Sequence, residues 1–562
     1  MRAFSLLVTV LYGFQATAAT KIVAVAETPI LGPSFLSNFD SSNSSAIDKA
    51  KTELSHQIGC LFSNGILNST DLTFHIDVFS AATNGSIYTY SHVANNAASV
   101  LTAGKFNDQT ISRIGSITKL FTAYAIIAKG GMEVFGHPVV KYLPELAGNS
   151  STNPLKRINW QDITVGALLS HQAGTGGPRD FLVNYYNPNT TEADSVKSFL
   201  KYMRDVKRPV ISPYRTAIYS DAGYAVLGQV LARMANTTTY TEAIQEIIFK
   251  PLGLKHTSTK VPKTSDGLNA MDRKTVQPTS SWGLDIELFA STGSIYSTAS
   301  DLRRVGLSIL NSELLSPAHI SAWMKPRSGT GSLVELVGAP WEIERLEVPA
   351  SPGSNRTRVS DLYTKVGGNG DYNAIFALSP DHGIGFSILL GGETSEPARW
   401  TLRDAVGQII IPAAESAAWS NAKKNLAGTF VLKSAPATNV TLTVDEDKSG
   451  LGLKSFWIKG QDTKLKGRLY PSGLNSVSRS LASLYRSTGQ VCFAHRIGEP
   501  HQPLRPRAAV EGGAGGLFDD SLTWQDIDFA GDSTDEFDIC LADRKVTKVV
   551  WPFNGLEMER LE

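Results

Sequence analysis

Arg113-Ile114-Gly115-Ser116-Ile117-Thr118-Lys119-Leu120-Phe121-Thr122-Ala123-Tyr124-Ala125-Ile126-Ile127 is the stretch on which the reading of this 562-residue chain turns. A helical run takes over after Gly115, and Ser116 and Lys119 stand at its start. Three residues apart on a helix is one face, so the lysine lies against the serine hydroxyl. The free N–H groups and positive dipole end of a helix N-terminus also favour an alkoxide and the oxyanion it generates. The pair has the chemistry of an activated nucleophile. No Gly-Xaa-Ser-Xaa-Gly elbow occurs, which leaves the α/β-hydrolase route without support. Ser-Xaa-Xaa-Lys also recurs at Ser198–Lys201, inside a helical pattern, and at Ser420–Lys423, in an Ala/Ser/Asn-rich segment. Both read as solvated residues, so Ser116 needs companions in the right order.

Two follow. Ile218-Tyr219-Ser220-Asp221-Ala222-Gly223-Tyr224 opens a second helical run, Ala225 to Ala235. A lone Tyr there is most often a packing residue. A phenol serves as a base near neutral pH only where flanking cations stabilise its phenolate, and Lys119 and one further lysine are suited to that. The further lysine is Lys365 of Lys365-Val366-Gly367-Gly368, which precedes the strand pair Tyr372–Leu378 and Ile384–Leu390. Small residues after it let an acyl group lie against strand backbone, where an N–H completes an oxyanion hole.

In this order the three elements resemble the serine β-lactamase and penicillin-binding-protein superfamily, in its class C β-lactamase, D-alanyl-D-alanine carboxypeptidase and esterase branch. Val140–Leu146, Ile163–Gly174, Pro251–Leu254 and Ser297–Leu302 look like that family's intervening landmarks, so the likeness covers about 70–412. A leader plus a C-terminal β domain is similar to secreted fungal β-lactamase-like proteins. The resemblance implies an α/β (α+β) β-lactamase/transpeptidase-like fold, with an antiparallel sheet flanked by helices. It implies Ser116 as nucleophile, Lys119 and Tyr219 managing the proton, and Tyr219 as the base for the deacylating water. Lys365 would hold Tyr219 electrostatically and meet a substrate carboxylate, while the N–H groups of Ser116 and Gly368 form the oxyanion hole beside Gly367. No metal or organic cofactor is required, and the partner is a small acyl substrate.

Two departures narrow this. Asp221 stands where the family usually has an Asn that orients a substrate amide, and an ionised carboxylate only accepts hydrogen bonds. Val366 stands where penicillin-recognising members carry a hydroxyl residue. Both changes favour esters or other acyl compounds over β-lactams. Three readings result: a secreted serine hydrolase, an acyltransferase acting on a metabolite, and a catalytically silent binding protein on the same fold. Among blander candidates, His171 reads as a packed or satisfied histidine and Asp301 as a cap or surface carboxylate. Trp282 and Tyr363 read as core, and the acidic cluster Asp526–Asp538 as a solvated loop rather than a calcium site.

Outward from the site, residues 1–19 have a signal peptide's form: Arg2, an apolar run Phe4–Phe14, and Ala16-Thr17-Ala18 for cleavage. No other stretch has the roughly 18 apolar residues of a membrane span. A mature chain that is secreted, with no membrane anchor, is expected. Eight sequons, at Asn43, Asn68, Asn84, Asn149, Asn189, Asn236, Asn355 and Asn439, favour a glycoprotein. The expected organisation is an N-terminal extension (20–69), a catalytic domain (70–412), a connector (413–423) and a small antiparallel β domain (424–562) with a mobile loop at His501–Gly516. Cys60, Cys492 and Cys540 are the only cysteines, too few for a disulfide scaffold or zinc cluster, although Cys492 and Cys540 could pair in an oxidising compartment. With 53 Lys+Arg against 52 Asp+Glu, the chain lacks the cationic surplus that a nucleic-acid partner demands.

Overall fold

The alternating stretches around Phe74 and Ile384 pair as neighbouring strands of an eight-stranded antiparallel sheet in the computed structural model. It describes residues 31–36, 40, 43–95, 100–148, 153–263, 267–446, 448–477, 489–498 and 533–561. The sheet's strands are β1 (Thr73–Ser80), β2 (Gly85–His92), β3 (Ser328–Gly329), β4 (Glu335–Val337), β5 (Glu342–Pro349), β6 (Thr357–Asn369), β7 (Tyr372–Ser379) and β8 (Ile384–Gly391). Their order is β2-β1-β8-β7-β6-β5-β4-β3. The four helices that position the site or frame the sheet are α1 (Ser45–Ser63), α2 (Thr118–Gly130), α3 (Asp221–Ala235) and α4 (Ser395–Asn421).

β1, β7 and β8 are buried along their whole length because both faces of the sheet are covered. Successive side chains point to opposite faces. Ala374, Phe376 and Leu378 therefore join the core built around α2 and α3, while Ile375 and Ala377 join a second core under α1 and α4. Each such fully buried Ile, Leu or Phe contributes about 1.5–3 kcal/mol.

Two expected segments are assigned differently by the structure. Ile47, Ala50, Leu54, Ile58 and Leu61 recur every three or four residues, so α1 buries one stripe against the sheet. From Ser45 onward, the stretch read as an N-terminal extension is thus part of the catalytic body. Residues 413–423 are no linker either. They continue α4 to Asn421 and into a π turn at Ala422–Leu426. Ala414 and Ala417 pack in the sheet's second core, and Ala418, Ala422 and Leu426 in the core of the C-terminal domain. An Ala-rich segment looks like a connector until both its sides are seen to be packed.

That C-terminal domain is a closed antiparallel barrel. Strands Asn439–Val444, Gly428–Val431, Leu556–Arg560, Lys545–Trp551, Glu536–Ala542, Val491–Gly498, Gly467–Asn475 and Leu451–Ile458 pair in that order, and the last pairs back to the first. Its interior is filled by Phe430, Phe456, Phe493, Phe537 and other apolar side chains. Cys492 and Cys540 form a disulfide between neighbouring strands, and Cys60 is a partly exposed free thiol.

Beneath the sheet, the Arg358 guanidinium of β6 holds both Glu415 oxygens of α4, at 2.9 and 2.6 Å, together with Asp381 at 2.8 Å. Glu415 also meets His382 Nε2 at 2.8 Å, and His382 Nδ1 meets Ser379 Oγ at 2.7 Å. The Ser-His-Glu chain has a hydrolase triad's connectivity, but Ser379 is only 1% exposed, so it has no access to substrate. It braces α4.

Among the described residues, no helix is long and apolar enough to cross a membrane, and no group of three or more His, Cys, Asp or Glu side chains could hold a metal ion. Residues 1–19, Asn149, the loop His501–Gly516 and residues 526–532 of the acidic cluster lie outside the described residues.

Candidate active site

Gly115–Ile117 form a 3-10 turn that feeds α2, so Ser116 sits at the helix entrance and Lys119 in its first turn. The Lys119 ammonium, fully buried, donates to Ser116 Oγ at 3.0 Å, Asp221 Oδ1 at 2.7 Å and the Thr292 carbonyl at 2.7 Å. Three acceptors use all three of its donors.

Tyr219 is placed by the cap that follows it. Ser220 Oγ accepts from Gly223 N at 2.8 Å and donates to the Gly176 carbonyl at 2.6 Å, which starts α3 and fixes the chain just before it. The phenol ring has the Lys119 and Lys365 ammoniums 4.9 and 5.2 Å from its centroid, and His171 is stacked on it at 4.5 Å. The Ser220 N–H donates to His171 Nδ1 at 3.1 Å. Burial, together with the Lys119 and Lys365 charges, holds this imidazole neutral, well below its ordinary 6.5. His171 is buried, as expected, and stacks on the tyrosine, but it also lines the site's cavity and its Nε2 has no hydrogen-bond partner among the described residues.

Gly367 and Gly368 of β6 lie against the Gly115–Ile117 turn. A Cβ at Gly367 would stand 2.0 Å from the Ile114 carbonyl oxygen and 3.2 Å from Ser116 N. Gly115, at φ +51°, would put a Cβ 2.5 Å from Gly368 N. Only glycines allow this approach of two backbones, which brings the Gly368 amide against Gly115, the residue before Ser116. Gly367→Ala is expected to lower turnover by about 100-fold or more, because displacing the turn by ~1 Å misplaces the nucleophile. Initial rates and a thermal melt run in parallel check this; unchanged kcat/KM would contradict it.

Lys365 is buried and held by the Glu342 carboxylate and, at 3.0 Å, by the Val366 carbonyl. Burial alone would lower its pKa, but Glu342 and Tyr219 outweigh that and raise it above the ordinary lysine value. Glu342 Oε2 also accepts from Val366 N at 2.8 Å. Asp221 keeps 42% of its side chain exposed beside Lys119. Ser116, Tyr219, Lys365, Val366 and Gly368 line one cavity of about 710 Å³, whose far wall is Arg399, Trp400 and Arg403 of α4. Gly367 does not line it; its carbonyl accepts from Arg399 at 3.2 Å.

The sequence reading missed Glu342, the Thr292 carbonyl and the α4 wall. Glu342 is opposite Thr364 across β5 and β6, and only that register brings it to Lys365. Trp282 is buried against Tyr296, and Tyr363 packs on Trp341, as expected. Asp301 is no surface carboxylate: it is buried and accepts from His256 N at 2.9 Å and Thr257 Oγ1 at 2.7 Å.

A family model described as "Beta-lactamase" matches residues 82–408, and one described as "Beta-lactamase-like-like, C-terminal domain" matches 418–562. A "Beta-lactamase-like protein" of Arthroderma benhamiae is 24% identical over 499 residues, covering 78% of each chain. A "Probable hydrolase clz13" of Cochliobolus lunatus is 23% identical over 439 residues, covering 69% of this chain and 67% of its own. Among solved structures, a class C beta-lactamase aligns at TM-score 0.47 with 19% identity, over 65% of this chain and 98% of its own.

Proposed function

The chain belongs to the beta-lactamase family, and from that premise we propose that it is a serine hydrolase cleaving an ester or amide through an acyl-Ser116 intermediate. The observation that carries this is the Lys119 ammonium held between Ser116 Oγ, Asp221 and the Thr292 carbonyl, with Tyr219 alongside. Tyr219, whose ring lies beside Lys119 and Lys365, is the base in this reading.

Ser116 Oγ attacks the substrate carbonyl carbon as its proton passes to the Tyr219 oxygen. The backbone N–H groups of Ser116 and Gly368 receive the oxyanion. Collapse expels the leaving alkoxide or amine, which takes the proton from Tyr219. Water then attacks the acyl carbon, giving its proton to Tyr219, and Ser116 leaves and recovers that proton. Asp221 orients Lys119 against the Ser116 hydroxyl.

The expected leader and sequons make the protein a secreted glycoprotein in this reading. Asn43, Asn68, Asn84, Asn189, Asn236 and Asn355 are exposed, while Asn439 is half-buried in a barrel strand.

A fluorophosphonate and a chromogenic short-chain ester test the proposal. Labelling that maps to the peptide containing Ser116, with ester turnover that the label abolishes, supports it. Turnover that survives complete labelling, or no reaction with either compound, contradicts it.

A further inference from the structure

Lys365, Arg399 and Arg403, which line the cleft, and Lys119 behind it each pair with a carboxylate of the protein. Lys119 pairs with Asp221 at 2.7 Å, Lys365 with Glu342, and Arg399 with Glu396 at 2.9 Å. Arg403 pairs with Asp404 at 2.8 Å and Glu344 at 3.5 Å. The cleft also has a surplus carboxylate. Glu335 lines it from β4, directly opposite Glu344 on β5, and no cation pairs with Glu335 among the described residues. Burial first, then the neighbouring Glu335 and Glu342 charges, raise the Glu344 carboxyl against the pull of Arg403.

Glu342 is the pivot of this arrangement. One of its oxygens takes the Lys365 ammonium and the other the Val366 N–H, so Glu342 occupies a donor of each on the cavity wall. Val366 offers no hydroxyl to replace them. A substrate carboxylate arriving here would lose its hydration and would meet Glu342 and Glu335. Val337, Pro340 and Val366 line the same space and give an uncharged chain apolar surface.

We propose that Glu342 makes this an anion-excluding acyl site, whose substrates are esters with no negative charge on the acyl part. The inference rests on the serine-hydrolase reading and deepens it.

The test compares p-nitrophenyl butyrate with the p-nitrophenyl monoester of glutaric acid, on the full-length protein, by kcat/KM. A like charge brought into a desolvated site is disfavoured, so the neutral ester is expected to be favoured by about 30-fold or more. Glu342→Gln keeps the shape and removes the charge; it should narrow that ratio by about 10-fold, chiefly through the KM of the anionic ester. Val366→Thr, which restores a hydroxyl without touching the ion pair, should narrow it in the same direction and covers the case in which the Gln variant misfolds. Equal turnover of the two esters by the unaltered protein, or a ratio that neither variant moves, overturns the inference. If Ser116 takes the fluorophosphonate while the anionic ester is preferred, the selectivity fails and the hydrolase reading stands. If Ser116 is unlabelled and neither ester reacts, both fail.

Discussion

Ser116→Ala is expected to lower ester turnover by about 10⁴-fold or more while leaving the melting temperature almost unchanged, since removing a hydroxyl from a group that acts as a unit removes the covalent route. The structural cost is small. Lys119 loses one of three acceptors and keeps Asp221 and the Thr292 carbonyl. Tyr219→Phe should approach the same loss, because in the proposed route the phenol oxygen takes the serine proton. The double variant should lose little more than either alone, as expected where nucleophile and base serve one step. Lys119→Met differs in a way that identifies the lysine's role. It leaves Asp221 and a buried carbonyl without their donor, so stability falls along with rate. Steady-state kinetics and thermal melts on the four proteins check the pattern. Independent, multiplying losses in Ser116→Ala/Tyr219→Phe would contradict it.

Glu415→Ala is expected to destabilise the protein by about 3–5 kcal/mol, the cost of leaving a buried cation without its partner. Arg358 is fully buried and is left with only Asp381 as counter-charge. Burial alone would raise the Glu415 carboxyl, but the Arg358 charge and the hydrogen bonds from His382 and Arg358 outweigh it and hold the pKa down at about 2, from an ordinary 4.5. Because the folded-state value is the depressed one, this stabilisation is complete above the unfolded carboxyl's 4.5 and fades as pH falls towards 2. The difference between the native protein and Glu415→Gln, measured by urea denaturation with tryptophan fluorescence, should therefore be flat from pH 7 to 5 and shrink below 4.5. A difference that grows in acid, or is absent at pH 7, would contradict the assignment. The consequence reaches the site, since Glu415 lies on the helix that carries Arg399, Trp400 and Arg403.

How much of this was legible in the sequence follows from the distance over which each contact is made. Ser116 and Lys119 were readable because one helical turn joins them. Tyr219 was readable because Ser220 and Asp221 after it have the chemistry of a helix start. Lys365 was readable from the small residues and strand alternation behind it, and the three meet around one phenol ring. The Lys365–Glu342 pair was hidden because it depends on the register of β5 against β6, which neither strand's pattern specifies alone. The helical nature of 413–423 was hidden for a different reason. Alanine and serine suit a linker or a tightly packed helix, and only the two cores on either side of α4 decide between them. Closure of the barrel was equally hidden, since it rests on Asn439–Val444 pairing back to Leu451–Ile458 at the end of a circuit of strands.

The claim beneath all of this is that Ser116 becomes acylated during turnover. Rapid acid quenching of the protein with a neutral p-nitrophenyl ester, followed by intact-mass measurement and peptide mapping, observes that species directly. One acyl group per chain is expected, on Ser116, absent from Ser116→Ala and forming far more slowly in Tyr219→Phe, where the serine proton lacks its acceptor. Turnover without any adduct, or an adduct that persists in Ser116→Ala, would contradict it.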